Sequence, residues 1–439
     1  MQLYEHQAAA LDATKDLNKV AYYLDMGLGK TFVGSEKMHQ LGAKVNLVVC
    51  QKSKIQDWLD HFFEYYPNYS THDLTNKIDF DKFFSNFNWS NQRIGVINYD
   101  LIFRRPELRQ LENFTLMLDE SSLIQNETAK RSKFILKMNP KNVILLSGTP
   151  TAGKYEKLWS QIHLLGWPIS KDLYWKQYVD TEIIDNEGYP IRVVRGYKNV
   201  ERLKSKLRQH GAIFMKSEEV FDLPEQMVID TRISTTKEYR KFRKDCIVTV
   251  EKPFWNETLY EDNIREIEVG AELVGDTTLT KMLYERMLCG QYNKDKLTAF
   301  RNIVESTEDR LIVFYNFTEE LMTLNDVACS MDRPVSIING SQRDLMAYET
   351  KGDSITFVQY QAGAMGLNLQ NANKIVYFTP PLSSELYEQS KKRIHRIGQM
   401  QTCFYYRLIC KNSIEEKIYS TLAMRKDYTD KLFEEQDAQ

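Results

Sequence analysis

The chain has 439 residues, of which 42% are hydrophobic and 27% charged, and its formal net charge is −2. That length calls for more than one domain, no apolar run is long enough to span a bilayer, and the near-zero charge excludes a uniformly basic coat for nucleic acid. Basic clusters stand at Arg104-Arg105, Lys130–Lys141, Lys198–Arg208 and Arg240–Lys244, and each taken alone reads as a solvated helix face. The opening MQLYEHQAAALDATKDL is polar and acidic where an export signal is basic and then apolar, so an intracellular chain is expected. Six cysteines (Cys50, Cys246, Cys289, Cys329, Cys403 and Cys410) are scattered with no C-x-x-C pair. This argues for reduced thiols and against a zinc site.

In chain order, short apolar strands at Val20–Leu24, Val45–Cys50, Ile94–Ile97, Leu116–Leu118 and Val143–Leu146 alternate with amphipathic helices. Such alternation predicts a parallel α/β sheet, whose ligands bind outside the carboxyl ends of the strands. From Trp167 to Cys289 the pattern loosens into charged helical stretches, with Asp222-Leu223-Pro224-Glu225 as a linker because proline disfavours helix for itself and its predecessor. Strands return at Leu311–Phe314, Val335–Ile338, Ile355–Val358, Lys374–Phe378 and Phe404–Ile409, and one or two helices cover Ser413–Leu432.

The chemistry-bearing segments sit at strand ends. Asp25-Met26-Gly27-Leu28-Gly29-Lys30-Thr31 follows the first strand. Its glycines would let backbone N–H groups converge on phosphate oxygens, Lys30 would reach the β- and γ-phosphates, and the Thr31 hydroxyl would bind Mg²⁺. Leu24 stands where the full phosphate-loop pattern has its first glycine, so the match is partial. Asp119-Glu120 ends another apolar strand and pairs a metal-holding carboxylate with one that orients water. By itself this pair reads as a helix cap; about ninety residues after a phosphate loop it gains weight. Ser147-Gly148-Thr149-Pro150 follows a third strand. In the second block come Gly363-Ala364-Met365-Gly366-Leu367-Asn368-Leu369 and Gln389-Ser390-Lys391-Lys392-Arg393-Ile394-His395-Arg396-Ile397-Gly398-Gln399. Arg393 and Arg396, three apart, would share one helix face.

The ordered series YEHQ, DMGLGKT, VCQKSKIQDW, VINYD, LMLDESS, LSGTP, VFYNF, QAGAMGLNL and QSKKRIHRIGQ resembles superfamily-two helicases, specifically their Swi/Snf-like branch of duplex-tracking ATPases. The R-I-H-R-I-G-Q ending is the most diagnostic piece. YRLICKNSIEEKIY resembles that branch's C-terminal brace, and KSEEVFDLPEQ its interlobe linker. The resemblance covers nearly the whole chain. It implies two RecA-like parallel-sheet lobes joined by a mostly helical spacer: lobe one at 1–166, spacer and linker at 167–289, lobe two at 290–412, and a helical brace at 413–439.

The resemblance also implies roles. Lys30, Asp119, Glu120, Gln389, Arg393 and Arg396 would be catalytic, with the last three acting from lobe two. Gln7 would read the adenine edge. Gly27, Leu28, Gly29, Lys30, Thr31 and Gly366 would contact the nucleotide, and Thr31 and Asp119 would hold Mg²⁺. Ser147 and Thr149 would couple nucleotide state to the track. Lys52, Ser53, Asn98, Tyr99, Asn316, Gln361, Ala362 and Gly363 match segments that grip the nucleic-acid backbone, which positions a protein without reading sequence.

Departures from the family pattern are D-E-S-S where relatives commonly end in histidine, Met215-Lys216 where many carry paired arginines, and a short spacer without accessory domains. The compact build implies a bacterial or phage member working in the cytoplasm. The function expected is an ATP-driven translocase stimulated by duplex DNA. The alternatives are a strand-unwinding DNA or RNA helicase, for which the sequence shows no wedge, and a nucleotide-gated nucleic-acid binding module without significant turnover. No membrane partner is expected.

Overall fold

The computed structural model describes residues 2–85, 92–151, 153–186, 189–250, 271–363 and 367–433. The chain divides into two units, Met1–Asp222 together with Arg425–Gln439, and Leu223–Met424. The division falls inside the Asp222-Leu223-Pro224-Glu225 segment.

In the first unit the strands are β1 (Lys19–Leu24), β2 (Val45–Cys50), β3 (Ser70–Asp73), β4 (Arg93–Asn98), β5 (Thr115–Asp119), β6 (Asn142–Leu146), β7 (Val179–Asn186), β8 (Tyr189–Tyr197) and β9 (Ala212–Met215). Seven of them form one parallel sheet in the order β3-β4-β2-β5-β6-β1-β9. Near-continuous apolar runs suit this sheet because both of its faces are covered. Along β1, Val20, Tyr22 and Leu24 enter one hydrophobic cluster, while Ala21 and Tyr23 enter another. Alternating side chains thus feed two cores, one on each face of the sheet.

The second unit repeats the plan. Its strands are β10 (Gln226–Ile233), β11 (Ile247–Val250), β12 (Ala271–Val274), β13 (Leu311–Tyr315), β14 (Val335–Ile338), β15 (Ile355–Gln359), β16 (Lys374–Tyr377) and β17 (Cys403–Cys410). Six pair in parallel in the order β10-β17-β16-β13-β15-β14. Leu311, Val313 and Tyr315 of β13 face one core, and Ile312 and Phe314 the other.

Residues 167–289, expected as a mostly helical spacer, also contribute strands. β9 extends the first sheet beside β1, and β10 pairs with β17 along its whole length. β7 pairs with β8 in antiparallel fashion, and β11 with β12. The edge strand β10 is exposed over most of its length, so no clean apolar alternation marked it. Among the described residues, no helix is long and apolar enough to cross a membrane.

Candidate active site

Three loops meet at the carboxyl ends of β1, β6 and β5, which are neighbours in the first sheet. The loop after β1 turns through Gly27 and Gly29, whose φ angles of 89° and 74° are left-handed, and Gly29 caps the helix Lys30–Leu41. A side chain at Gly29 would meet a second obstacle, because a Cβ there would lie 2.2 Å from Gln7 Nε2. Leu24, at the missing first-glycine position, is fully buried as the last residue of β1. Its carbonyl accepts from Lys30 Nζ at 3.0 Å, and the Asp25 carbonyl lies 3.4 Å from the same ammonium. Thr31 is half-buried at the start of the helix. Gln7 is buried against this loop: it donates from Nε2 to the Leu28 carbonyl at 3.1 Å and accepts from the Tyr4 N–H at 3.0 Å. The loop is also held from behind, since Ser217 Oγ donates to the Met26 carbonyl at 3.0 Å and Asp25 N–H to the Met215 carbonyl at 3.0 Å.

Asp119 closes β5, and its Oδ2 accepts from the Trp58 indole N–H at 2.9 Å. Burial raises the Asp119 carboxyl above its ordinary value, while the Trp58 bond and the Lys30 and Lys54 charges pull it down. Glu120 holds φ 53° and ψ 60°, a left-handed conformation that costs a non-glycine residue energy and persists where the surroundings enforce it. Ser147 Oγ donates to Glu120 Oε2 at 3.5 Å, and Thr149 N–H donates to Ser147 Oγ at 3.2 Å. The Thr149 hydroxyl is buried without a hydrogen-bond partner among the described residues. A Cβ on Gly148 would lie 3.3 Å from Lys30 Nζ, so the S-G-T-P loop borders the phosphate loop directly. Carboxylate and hydroxyl oxygens at Asp119 and Thr31 are the donor types that a hard cation such as Mg²⁺ takes.

Of the residues matched to backbone-gripping segments, Lys52 and Ser53 are exposed on a short 3₁₀ turn. Asn98 and Tyr99 are buried, and the Tyr99 hydroxyl donates to the Asp119 carbonyl at 2.8 Å. In the second unit Asn316 turns inward: Nδ2 lies 2.8 Å from Thr379 Oγ1, 3.1 Å from the Pro380 carbonyl and 3.3 Å from the Thr379 carbonyl. Beside it Glu320 is fully buried, and burial pushes its carboxyl up to about 6 against the Asn316 and Phe317 N–H bonds. Gln361 is exposed, Ala362 is buried, and Gly363 ends the short helix that begins at Tyr360. Gly366 lies outside the described residues.

The helix Ser384–Lys391 carries buried Gln389, whose Nε2 donates to Glu385 Oε1 at 3.4 Å. Arg393 and Arg396 were expected on one helix face, but the helix stops at Lys391 and both sit on the turns that follow. The turns are fixed by Gln399, whose Nε2 donates to the carbonyls of Ala372 at 2.9 Å and Gln370 at 3.0 Å. Gly398, with φ 92°, precedes it. Beyond the helix, Gly398 and the Gln399 tie to the Gln370–Ala372 loop fix the path of the turns. Arg393 is buried with Nη1 3.4 Å from the Leu367 carbonyl, and Arg396 is half-buried with its Nε lacking a hydrogen-bond partner among the described residues.

The model of the SNF2-related domain matches residues 23–293, and that of the helicase conserved C-terminal domain matches residues 295–398. The chain belongs to the SNF2-related family. Relatives include YwqA of Bacillus subtilis (strain 168), provisionally named an ATP-dependent helicase/translocase, which is 23% identical over 94% of this chain and 46% of its own length. The ISWI chromatin-remodeling complex ATPase ISW2 of Saccharomyces cerevisiae is 24% identical over 91% of this chain and 38% of its own length. The DNA repair and recombination protein RDH54 of the same yeast is 22% identical over 97% and 50%. The chain thus spans half or less of the length of these SNF2-family relatives. A solved Sulfolobus solfataricus SWI2/SNF2 ATPase core in complex with dsDNA aligns over 98% of this chain and 92% of that one, with 18% identity and a TM-score of 0.45.

Two SNF2-core side chains escaped the sequence reading. Trp58 holds the Asp119 carboxylate from the helix Ile55–Tyr65, well outside the D-E-S-S motif. Gln161 is fully buried and bonds to Tyr23, Ser121 and Pro150. The only trace of it in the sequence is a polar residue among the apolar ones of Leu158-Trp159-Ser160-Gln161-Ile162.

Proposed function

We propose that this SNF2-family chain is a nucleic-acid-dependent ATPase that translocates on duplex DNA. The observation that carries the reading is the meeting of the phosphate loop, the Asp119-Glu120 pair and the S-G-T-P loop at the ends of three adjacent strands. In this reading the N–H groups of Gly27, Leu28 and Gly29 and the positive end of the following helix bind the phosphates of ATP. Lys30 leaves the Leu24 and Asp25 carbonyls, which hold it 3.0 and 3.4 Å away, for the β- and γ-phosphate oxygens. Thr31 and Asp119 hold Mg²⁺, which supplies charge neutralisation at the phosphates. Glu120 orients the attacking water, and Ser147, 3.5 Å from its carboxylate, senses its position. Gln7 takes the adenine edge. From the second unit Gln389, Arg393 and Arg396 assist hydrolysis, Gly366 adds a nucleotide contact, and a finger arginine of this kind contributes about 10³–10⁵ in rate. Lys52, Ser53 and Gln361, all exposed, contact DNA phosphates, while Asn98, Tyr99, Asn316, Ala362 and Gly363 shape those loops.

ATP turnover measured with duplex DNA, single-stranded DNA and RNA tests this. The expected result is strong stimulation by duplex DNA and weak stimulation by the others. Equal or greater stimulation by single strands or RNA favours the strand-separating alternative. One observation speaks for that alternative: the β7–β8 pair exposes Ile183, Ile184 and Ile191, the kind of apolar edge that could enter a base stack. No stimulation by any nucleic acid would leave a nucleotide-gated binding module.

A further inference from the structure

Gln161 lies on the helix Trp159–Leu164 and is fully buried in the first unit. Its Oε1 accepts two hydrogen bonds, from Ser121 Oγ at 2.8 Å and from the Tyr23 hydroxyl at 3.0 Å. Its Nε2 donates to the Pro150 carbonyl at 2.8 Å. The orientation of the amide follows from its partners: a proline carbonyl can only accept, so the NH₂ must face Pro150 and the oxygen must face the two hydroxyls. One side chain therefore joins β1 two residues before Asp25, the residue next to Glu120, and the last residue of S-G-T-P.

The alternative link between the D-E pair and S-G-T-P is weaker. Ser147 Oγ and Glu120 Oε2 are 3.5 Å apart, at the limit of hydrogen bonding. The fourth motif position, Ser122, is a short side chain that is itself buried. Ser121 and Gln161 are both fully buried, so no bulk water replaces a bond that breaks, and a displaced Ser121 must either carry the amide along or leave polar atoms unpaired. Glu120, at φ 53°, stands immediately before Ser121 in the chain.

We propose that Gln161 is a positioning residue that couples the Asp119-Glu120 loop to the S-G-T-P loop, so that nucleic acid sensed at one sets the water-orienting carboxylate at the other. The inference rests on the motor reading above. Its test uses the full chain and compares Gln161→Leu, Gln161→Glu and Ser121→Ala with the parent. Gln161→Leu removes all three bonds. Gln161→Glu keeps both hydroxyl bonds and sets a carboxylate oxygen against the Pro150 carbonyl, whereas Ser121→Ala cuts only the Ser121 arm. KM for ATP, the ratio of DNA-stimulated to basal turnover, and thermal melting are read for each.

In every folded variant, KM should stay within about twofold while the stimulation ratio falls about tenfold or more. Gln161→Glu combined with Ser121→Ala should fall no further than either alone, because both cut one relay. If Gln161→Leu fails to fold, the two single-arm variants carry the test. Folded variants that keep the parent's ratio overturn the relay, as do losses that track only the fraction of folded protein or that multiply in the double variant. A parent without DNA-stimulated turnover is a separate result, which removes the motor reading and the relay with it.

Discussion

At the residue scale, the chemistry of this site depends on groups that tune Asp119 from outside its motif. Asp119 must be ionised to hold a cation, and burial raises its carboxyl above the ordinary value. The Trp58 N–H bond at 2.9 Å opposes that shift by favouring the charged form. Trp58→Phe keeps the packing and removes the donor, so the Asp119 pKa should rise further. The acid limb of the turnover–pH profile should then move to higher pH while the alkaline side stays in place. An unmoved acid limb in a folded Trp58→Phe variant would show that the indole does not set the carboxylate. Asp119 and Glu120 stood out in the sequence because they follow an apolar strand about ninety residues after the glycine-rich loop. Trp58 was not, since nothing in its own helix distinguishes a core tryptophan from one whose N–H reaches a carboxylate 61 residues along the chain.

At the scale of elements, the strands with long apolar runs were legible almost to the residue. Val45–Cys50 and Val335–Ile338 form over the expected ranges. The Val45–Cys50 run is buried on both faces, while the edge strand Val335–Ile338 alternates half-buried and buried residues. β9 has only four residues, and the exposed β10 lacks a buried face along most of its length, so each is defined by its neighbour in the sheet. The cysteines tell the same story: Cys289 and Cys410, 121 positions apart, lie together in the second unit beside Glu415. There Lys296 and Glu415 form a fully buried ion pair at 2.5 Å, tying the helix Lys294–Glu305 to the start of the last helix.

Burial alone would lower the Lys296 pKa, but the Glu415 charge and hydrogen bond, together with the neighbouring Cys410 and Cys289, outweigh it and the net shift is upward. The pair's contribution is therefore fully present below the ordinary value of 10.5 and is lost only as pH rises through the raised one. Lys296→Met strands a buried carboxylate and should cost about 3–5 kcal/mol in denaturant unfolding near neutral pH. Pairing it with Glu415→Leu should recover most of that. A single variant as stable as the parent would mean the carboxylate finds another partner or water.

For the whole molecule, Lys30 and Arg396 belong to different units, and under the proposed function this separates two failures that one activity assay would merge. Lys30→Ala should weaken ATP binding and abolish turnover. Arg396→Ala should leave equilibrium ATP binding within about threefold while turnover drops by about 10³ or more. Parallel losses of binding in both variants would place Arg396 in ground-state recognition, and unimpaired turnover in either would remove its residue from the catalytic set. Arg396 is half-buried, and its Nε has no hydrogen-bond partner among the described residues. The R-I-H-R-I-G-Q run reads as a basic helix from composition. It forms turns instead, because Gly398 and the Gln399 amide tie it to the loop at Gln370–Ala372.

The sequence by itself determined the family, the two parallel-sheet lobes and the position at strand ends of the D-M-G-L-G-K-T, D-E and S-G-T-P loops. Each of those depends on local information: apolar period, glycines at left-handed turns, and motif order along the chain. Only the tertiary structure decided how the loops are held to one another. Gln161 joining Tyr23, Ser121 and Pro150, Trp58 on Asp119, and Ser217 behind the phosphate loop are contacts between residues 40 to 191 positions apart or, for Pro150, 11. A buried polar side chain has no period that names its partner. Its hydrogen bonds are chosen by what the fold packs against it.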